Sequence, residues 1–292
     1  MSVPISVRDL SVRFGGTPAV DDVTFDLAAG SIVGLLGRNG AGKSTLLSTL
    51  AAFRRPSSGQ VLIDGEDPYE HRRLMSEIAL VREDGDLDGS VSVRDALEIA
   101  GCLRPRWDRR TADRLLDGFR IDTGKKVCAL SRGQRSAVAV SIGIATRAPL
   151  TMFDEPHLGM DAPARYAFYD ELLADYMEHP RTIIVSTHLI DEMASLLEDV
   201  VIIDHGRLLA HQPTDELEGR GVELTGPTAS VDELTHGMSV LSRRTLGPTT
   251  SVVVFGDFNG HLRRHAAELG VALGPIPLQD LFVSLTSQEL VP

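Results

Sequence analysis

The sequence predicts an α/β fold built on a mainly parallel sheet, and three observations carry that prediction. Short apolar runs at Ile32–Leu36, Leu150–Asp154 and residues 182–186 read as buried strands, and they alternate with stretches of helical periodicity. The first run leads into Gly37-Arg38-Asn39-Gly40-Ala41-Gly42-Lys43-Ser44-Thr45 and then into the helical pattern 45–50. That segment fits G-x-x-x-x-G-K-[ST] in the strand–loop–helix setting a phosphate-binding P-loop needs. The second run ends in paired acids, Asp154-Glu155.

Each element follows from local pattern. Residues 5–26 alternate apolar and polar positions around a Gly15-Gly16 turn, as edge strands of an antiparallel piece do. Residues 60–64 and 78–81 read as short strands, and 93–147 is helical with breaks at Pro105 and Gly124. Residues 162–177 are helical, 182–186 form the next buried strand, and 200–204 with 207–211 make a hairpin turned at His205-Gly206. Composition shifts near Glu218-Gly219-Arg220-Gly221. Beyond it, strands at 222–225, 238–242 and 251–255, two short helices and Gly-Pro pairs predict a small α+β appendage, near the lower size limit for independent folding. The expected division is therefore 1–218 and 219–292, with a helical subdomain at about 80–150.

Charge and composition narrow the class. A formal net charge of −12 makes the surface as a whole repel nucleic acid and anionic lipid headgroups, so no nucleic-acid partner is expected. Residues 1–10 carry charge and lack a signal-type apolar region, and no apolar stretch approaches the roughly 18–20 residues of a membrane-spanning helix. A soluble, cytoplasmic chain that docks on a membrane protein satisfies these limits. Cys102 and Cys128 make neither a metal-ligand spacing nor a disulfide framework, and are expected as reduced thiols.

The P-loop residues define the first chemistry. Glycines let the loop curl so that backbone N–H groups point inward at an anion, and the following helix N-terminus adds partial positive charge. Lys43 reaches the β- and γ-phosphates of a nucleotide in such a loop, and the Ser44 hydroxyl ligates Mg²⁺.

The rest of the chain adds Leu130-Ser131-Arg132-Gly133-Gln134 at a helix start, Asp154-Glu155, Gly159-Met160-Asp161, and His188 after the strand 182–186. Over residues 3–218 this order resembles the nucleotide-binding domain of ATP-binding-cassette (ABC) ATPases: Walker A, Q-loop, signature, Walker B, D-loop and H-switch. The resemblance implies an ABC ATPase core with an antiparallel β subdomain and a helical subdomain, using ATP and Mg²⁺. It makes Asp154 a Mg²⁺ ligand, Glu155 the general base for the attacking water, and His188 the switch histidine at the γ-phosphate, so that Lys43, Glu155 and His188 form the catalytic set. Two acids in succession at a strand end point in different directions, so one serves the metal and the other the water.

The resemblance further implies that Ser131, Gly133 and Gln134 meet a nucleotide held by another subunit, so two chains pack head to tail around two ATP molecules. Out of context, S-x-G-Q at a helix start is a plain N-cap. Arg132 replaces the commoner glycine of the signature. Phe14 stands where the family has an aromatic that stacks on adenine; its alternative is a core aromatic on an edge strand. The Q-loop glutamine is absent, and spacing from Leu87 and Val93 puts Glu83 in its place, either as a charged Mg²⁺ ligand or as a solvated loop acid.

Arg104-Pro105-Arg106-Trp107-Asp108 resembles the P-x-W-D segment of a bacterial subgroup of single-cassette ATPases, often encoded beside GntR-type regulators and paired with separate ABC-2-like permeases. The segment Leu278-Gln279-Asp280-Leu281-Phe282 resembles the close of many such subunits. The expected function is the ATP-hydrolysing subunit of a membrane ABC transporter, an exporter, peripheral on the inner face of the membrane through its permease, as a homodimer or a heterodimer with a similar subunit. An importer subunit is the runner-up. A ribosome- or DNA-associated ABC protein usually carries two cassettes or a long coiled-coil insertion, and a non-hydrolysing module needs a broken Walker B or switch; neither describes this chain.

Overall fold

The computed structural model describes residues 2–82, 87–256, 258 and 260–287. The chain divides into two compact units, residues 1–211 and 212–292. This boundary falls seven residues before the composition shift at 219.

In the first unit the strands β1 (Ile5–Phe14), β2 (Thr17–Leu27), β3 (Ile32–Leu36), β4 (Ser58–Ile63), β5 (Ile78–Val81), β6 (Leu150–Asp154), β7 (Thr182–Thr187), β8 (Asp199–Asp204) and β9 (Arg207–Pro213) form two sheets. A three-stranded antiparallel sheet has the order β2-β1-β4, and a six-stranded sheet has the order β5-β6-β7-β3-β8-β9. Neighbours from β5 through β8 run parallel. The sequences IVGLL, LTMFD and TIIVST are buried along their whole length, as central strands of a parallel sheet covered on both faces must be. The helices are α1 (Lys43–Leu50), α2 (Arg72–Glu77), α3 (Val93–Leu103), α4 (Arg109–Gly118), α5 (Arg132–Ala145), α6 (Ala162–Glu178) and α7 (Ile190–Met193).

The core explains why the phosphate loop is rigid. Leu46, Leu47 and Leu50 of α1 pack in one buried cluster with Val33 and Leu35 of β3, Met152 of β6, and Val7, Val23 and Phe25 of the antiparallel sheet. The first helix after the loop is thus clamped between the two sheets. Adjacent strands β3, β7 and β6 end together, with Leu36 opposite Thr187 and Asp154 opposite Ser186. Loops leaving those three ends converge, which is where open parallel sheets bind ligands. The hairpin from β8 to β9 turns at His205 and Gly206, with φ of 45° and 79°. Two residues at positive φ suit a type I′ turn.

The helical segment is α3, α4 and α5, with a short 3₁₀ turn at Val127–Ala129. Ser92 opens α3 in a capping box with Asp95, and Asp108 caps α4 by accepting from the Arg110 amide at 3.0 Å. Trp107 packs against the backbone of Gly101, where an added Cβ would lie 3.1 Å from the indole. Asp108 also pairs with Arg147 at 2.7 Å. In the P-x-W-D segment, the tryptophan and aspartate therefore join the start of α4 to α3 and to the end of α5.

The second unit holds α8 (Thr214–Gly219), β10 (Gly221–Pro227), α9 (Thr228–Leu234), β11 (Ser239–Leu246), β12 (Thr249–Phe255), α10 (Gly260–Glu268), β13 (Ala272–Pro275) and α11 (Leu278–Ser287). The sheet order β11-β12-β10-β13, all antiparallel, with α9 and α10 as crossovers, is the split β-α-β arrangement. Leu224, Val231, Val252, Val254 and Ala266 form its core. Beyond residue 219, the strand β13 and a third helix were not expected from sequence. Ala-Leu-Gly-Pro is too short, and too marked by Gly and Pro, to read as a strand.

At the amino end of β7, away from the phosphate loop, Arg181 is buried with a 2.7 Å ion pair to Asp175, which is buried too. Removing one partner strands a charge in the interior. Asp175→Ala is expected to cost about 3–5 kcal/mol, read as a lower urea midpoint at unchanged slope. A loss below ~1 kcal/mol, the scale of an exposed pair, would contradict that placement.

Candidate active site

The cleft at the end of β3 has a volume of about 560 Å³ and is lined by the phosphate loop together with Ala19, Arg132, Glu155, Leu158 and His188. Of the sequence-predicted loop residues, Arg38, Asn39, Gly40, Gly42, Lys43, Ser44 and Thr45 line it. Ala41 is buried beneath, and Gly37 ends the strand side, held by the close approach of the Ile203 carbonyl. Gly42 is the N-cap of α1 with φ of 104°, and a Cβ there would sit 2.3 Å from the Ala19 carbonyl oxygen. Both the left-handed backbone and the close approach require glycine.

Lys43 is buried and spans the loop. Its ammonium donates to the Gly37 carbonyl at 2.8 Å and lies 3.1 Å from Glu155 Oε1. Asp154 and Glu155 at the end of β6 are both buried. Ser186, directly across on β7, ties them together: its hydroxyl donates to Asp154 Oδ1 at 2.6 Å, and the Glu155 amide donates to Ser186 Oγ at 2.9 Å. Glu155 has φ of 48°, so the chain turns sharply there and the two acids diverge.

The second oxygen of Glu155 faces two histidines. His188 Nδ1 lies 2.7 Å from Oε2 in a hydrogen bond, and His157 Nε2 lies 3.3 Å from the same oxygen without hydrogen-bond geometry. The His157 and His188 rings are 5.1 Å apart, tilted by 56°. Burial is the largest single influence on the Glu155 carboxyl and opposes ionisation. The nearby His157, the Lys43 charge and the His188 hydrogen bond together outweigh it and lower the carboxyl to about 2.

The signature residues lie elsewhere. Ser131, Gly133 and Gln134 line a separate cleft of about 500 Å³ with Met160 and Asp161. Ser131 Oγ accepts from the Gln134 amide and Gln134 Oε1 accepts from the Ser131 amide, a capping box that opens α5. A Cβ on Gly133 would lie 2.2 Å from the Gly159 carbonyl oxygen, so glycine is needed for this contact within one chain. Arg132, between them, lines the phosphate-loop cleft instead.

Phe14 is half-exposed at the end of β1, outside the residues lining the cleft, and the Arg54 guanidinium lies over its ring at 4.3 Å. Glu83 lies outside the described residues. Sequence reasoning missed Ser186 and His157. The serine was visible only as part of Ser-Thr-His, and the histidine only as an unusual neighbour of the paired acids.

A deep anion-binding loop, a buried lysine, paired acids and a histidine at adjoining strand ends define a P-loop nucleotide hydrolase. Comparison with known proteins gives the family. The ABC transporter family profile matches residues 20–158. A daunorubicin resistance ATP-binding protein of Streptomyces coeruleorubidus is 31% identical over 73% of this chain and 69% of its own length. A Nod factor export ATP-binding protein of Rhizobium johnstonii is 29% identical over 99% of this chain and 96% of its own. The solved structure of an ATP binding subunit of an ABC transporter aligns with a TM-score of 0.66 at 25% identity, covering 73% of this chain and 91% of that one. The chain belongs to the ATP-binding subunits of ABC transporters and is an ATP hydrolase.

Because the Glu155 carboxyl is lowered in the folded state, it contributes stability that is complete above its ordinary value of 4.5 and is lost as pH falls toward about 2. Unfolding midpoints of wild type and Glu155→Gln, measured from pH 6 down to about pH 2, should converge over that window. A constant difference between them would contradict the ionised state described here.

Proposed function

We infer that this chain drives export, as the ATPase subunit of a transporter whose separate permease forms the path. The functions of the relatives, drug resistance and Nod factor export, support the direction. Among the described residues no helix is long and apolar enough to cross a membrane, and in this reading a separate permease supplies the path. Residues 1–218 form the catalytic module in this reading and 219–292 an accessory one.

The observation that carries the catalytic reading is the convergence of Lys43 and His188 on the two oxygens of a buried, ionised Glu155 at the mouth of the phosphate loop. Loop amides and Lys43 hold the nucleotide phosphates. Ser44 and Asp154 offer a hydroxyl and a carboxylate, hard oxygen donors that fit Mg²⁺, and they would hold it. When bound, that ion neutralises charge developing on the phosphates. Glu155 accepts the proton of the attacking water, and His188 orients it and meets the γ-phosphate.

A carboxylate held near 2 is a weak base. Arriving phosphates draw Lys43 away and bring negative charge, and both changes raise the basicity of Glu155. Base strength would then depend on substrate being present.

Ser131, Gly133 and Gln134 complete the site of a second subunit, because they lie in a cleft apart from their own phosphate loop. The N-terminus of α5 carries the partial positive charge that suits an anion in that cleft. Phe14 serves as the adenine platform, with Arg54 already on one face.

Glu155→Gln should retain ATP binding and lower turnover by about 10²–10⁴-fold, the usual worth of a general base. It should also shift sedimentation toward a dimer when ATP is added. Turnover within twofold of wild type would refute the role given to Glu155. An unchanged sedimentation profile would remove the homodimer and leave a heterodimeric partner.

A further inference from the structure

Glu155, His157 and His188 hold metal-capable donor atoms that all lie within 4.8 Å of one another. Glu155 Oε2 is 2.7 Å from His188 Nδ1 and 3.3 Å from His157 Nε2. Donors around a tetrahedral zinc ion, with bonds of about 2.0–2.1 Å, are separated by about 3.3 Å. The cluster is therefore close to a coordination shell before any ion arrives. The sharp turn at Glu155 makes this possible, since its φ of 48° lets residues two apart in sequence face one point.

His157 supplies the independent observation. It is 2% exposed, and neither ring nitrogen has a hydrogen-bond partner among the described residues. An unsatisfied buried polar group is costly, so imidazoles in protein interiors are normally partnered. Coordination would satisfy the nitrogen that already points at Glu155. His188, by contrast, is exposed at 42% of its side chain and leaves the cleft side open for a further ligand.

Two imidazoles and one carboxylate suit zinc and its neighbours, whereas Mg²⁺ prefers oxygen donors throughout. Lys43 occupies Oε1 and leaves Oε2 to the ion, but its positive charge, on the other oxygen of the same carboxylate, opposes cation binding. Affinity should therefore be below that of a structural zinc site.

We propose that Glu155, His157 and His188 form a site for one divalent transition-metal ion of the zinc type, and that its occupancy blocks ATP turnover. The block follows because the ion engages the carboxylate and the histidine that the catalytic reading assigns to the attacking water, and the inference rests on that reading. Binding displaces protons from any protonated imidazole and needs no other reactant.

The test uses the full chain, stripped with chelator and free of nucleotide, titrated with Co²⁺ and then Zn²⁺. One equivalent of Co²⁺ should give the intense visible absorption of low-coordinate cobalt, displaced by Zn²⁺. His157→Thr and His188→Ala should each weaken binding at least tenfold. Because His188 is exposed, its replacement keeps the test decisive if the His157 variant fails to fold. Lys43→Met should tighten binding by removing the opposing charge. In wild type turning over Mg–ATP at buffered free zinc, inhibition should follow the same midpoint as binding. Absence of saturable one-equivalent binding, binding by either histidine variant as tight as that of wild type, or binding without inhibition would each overturn the proposal. The binding measurement needs no ATP, so failure of the catalytic reading would show separately, as absent turnover in metal-free Mg–ATP.

Discussion

The site depends on one buried cation. Lys43 bridges the carbonyl of Gly37, at the start of the phosphate loop, and the carboxylate of Glu155, at the end of a strand two positions away in the sheet. Both charges are largely withdrawn from bulk water, so each is tolerable mainly because the other is present. The lysine stands where positive charge is needed and satisfies the Gly37 carbonyl of the loop. Burial of α1 between two sheets fixes the lysine backbone, and the close approach of Ala19 fixes the glycine before it.

That same contact gives the site its polarity. The Glu155 carboxyl is held ionised by Lys43, His188 and His157 against the cost of burial, so its charge is set by neighbours and not by solvent. Any ligand that competes for those neighbours changes the base. Phosphates would withdraw the lysine, and a zinc-type ion would engage the histidines. Ser186 keeps the geometry constant through such exchanges by holding the Asp154 carboxylate and the Glu155 amide with one hydroxyl. The separation of the signature cleft from the phosphate-loop cleft adds the second constraint, since the amides at the start of α5 stand apart from the site in their own chain.

The candidate site groups at the strand ends were legible because each sits where a run of buried apolar residues meets a polar one. Gly37 to Thr45, Asp154, Glu155 and His188 all follow such runs, and the parallel sheet that the runs imply brings the strand ends together. Contacts between strands were harder to see. Ser186 lies within a buried run and looks like strand filler until the register opposite Asp154 is known. His157 reads as a loop residue until the turn at Glu155 folds it inward. Arg54 over Phe14 joins residues forty apart, which no local pattern announces. In the second unit the short strand β13 owes its existence to pairing with β10 and not to its own composition.

The most direct test of the Lys43–Glu155 pairing is a double-mutant cycle on the stability of the nucleotide-free, metal-free protein, using Lys43→Met, Glu155→Gln and the double variant. Each single change strands a buried charge, whereas the double change removes both, so the double variant should lose less than the sum of the singles by at least about 1 kcal/mol. Strict additivity, within a few tenths of a kcal/mol, would show that the two side chains do not depend on each other and would contradict the account.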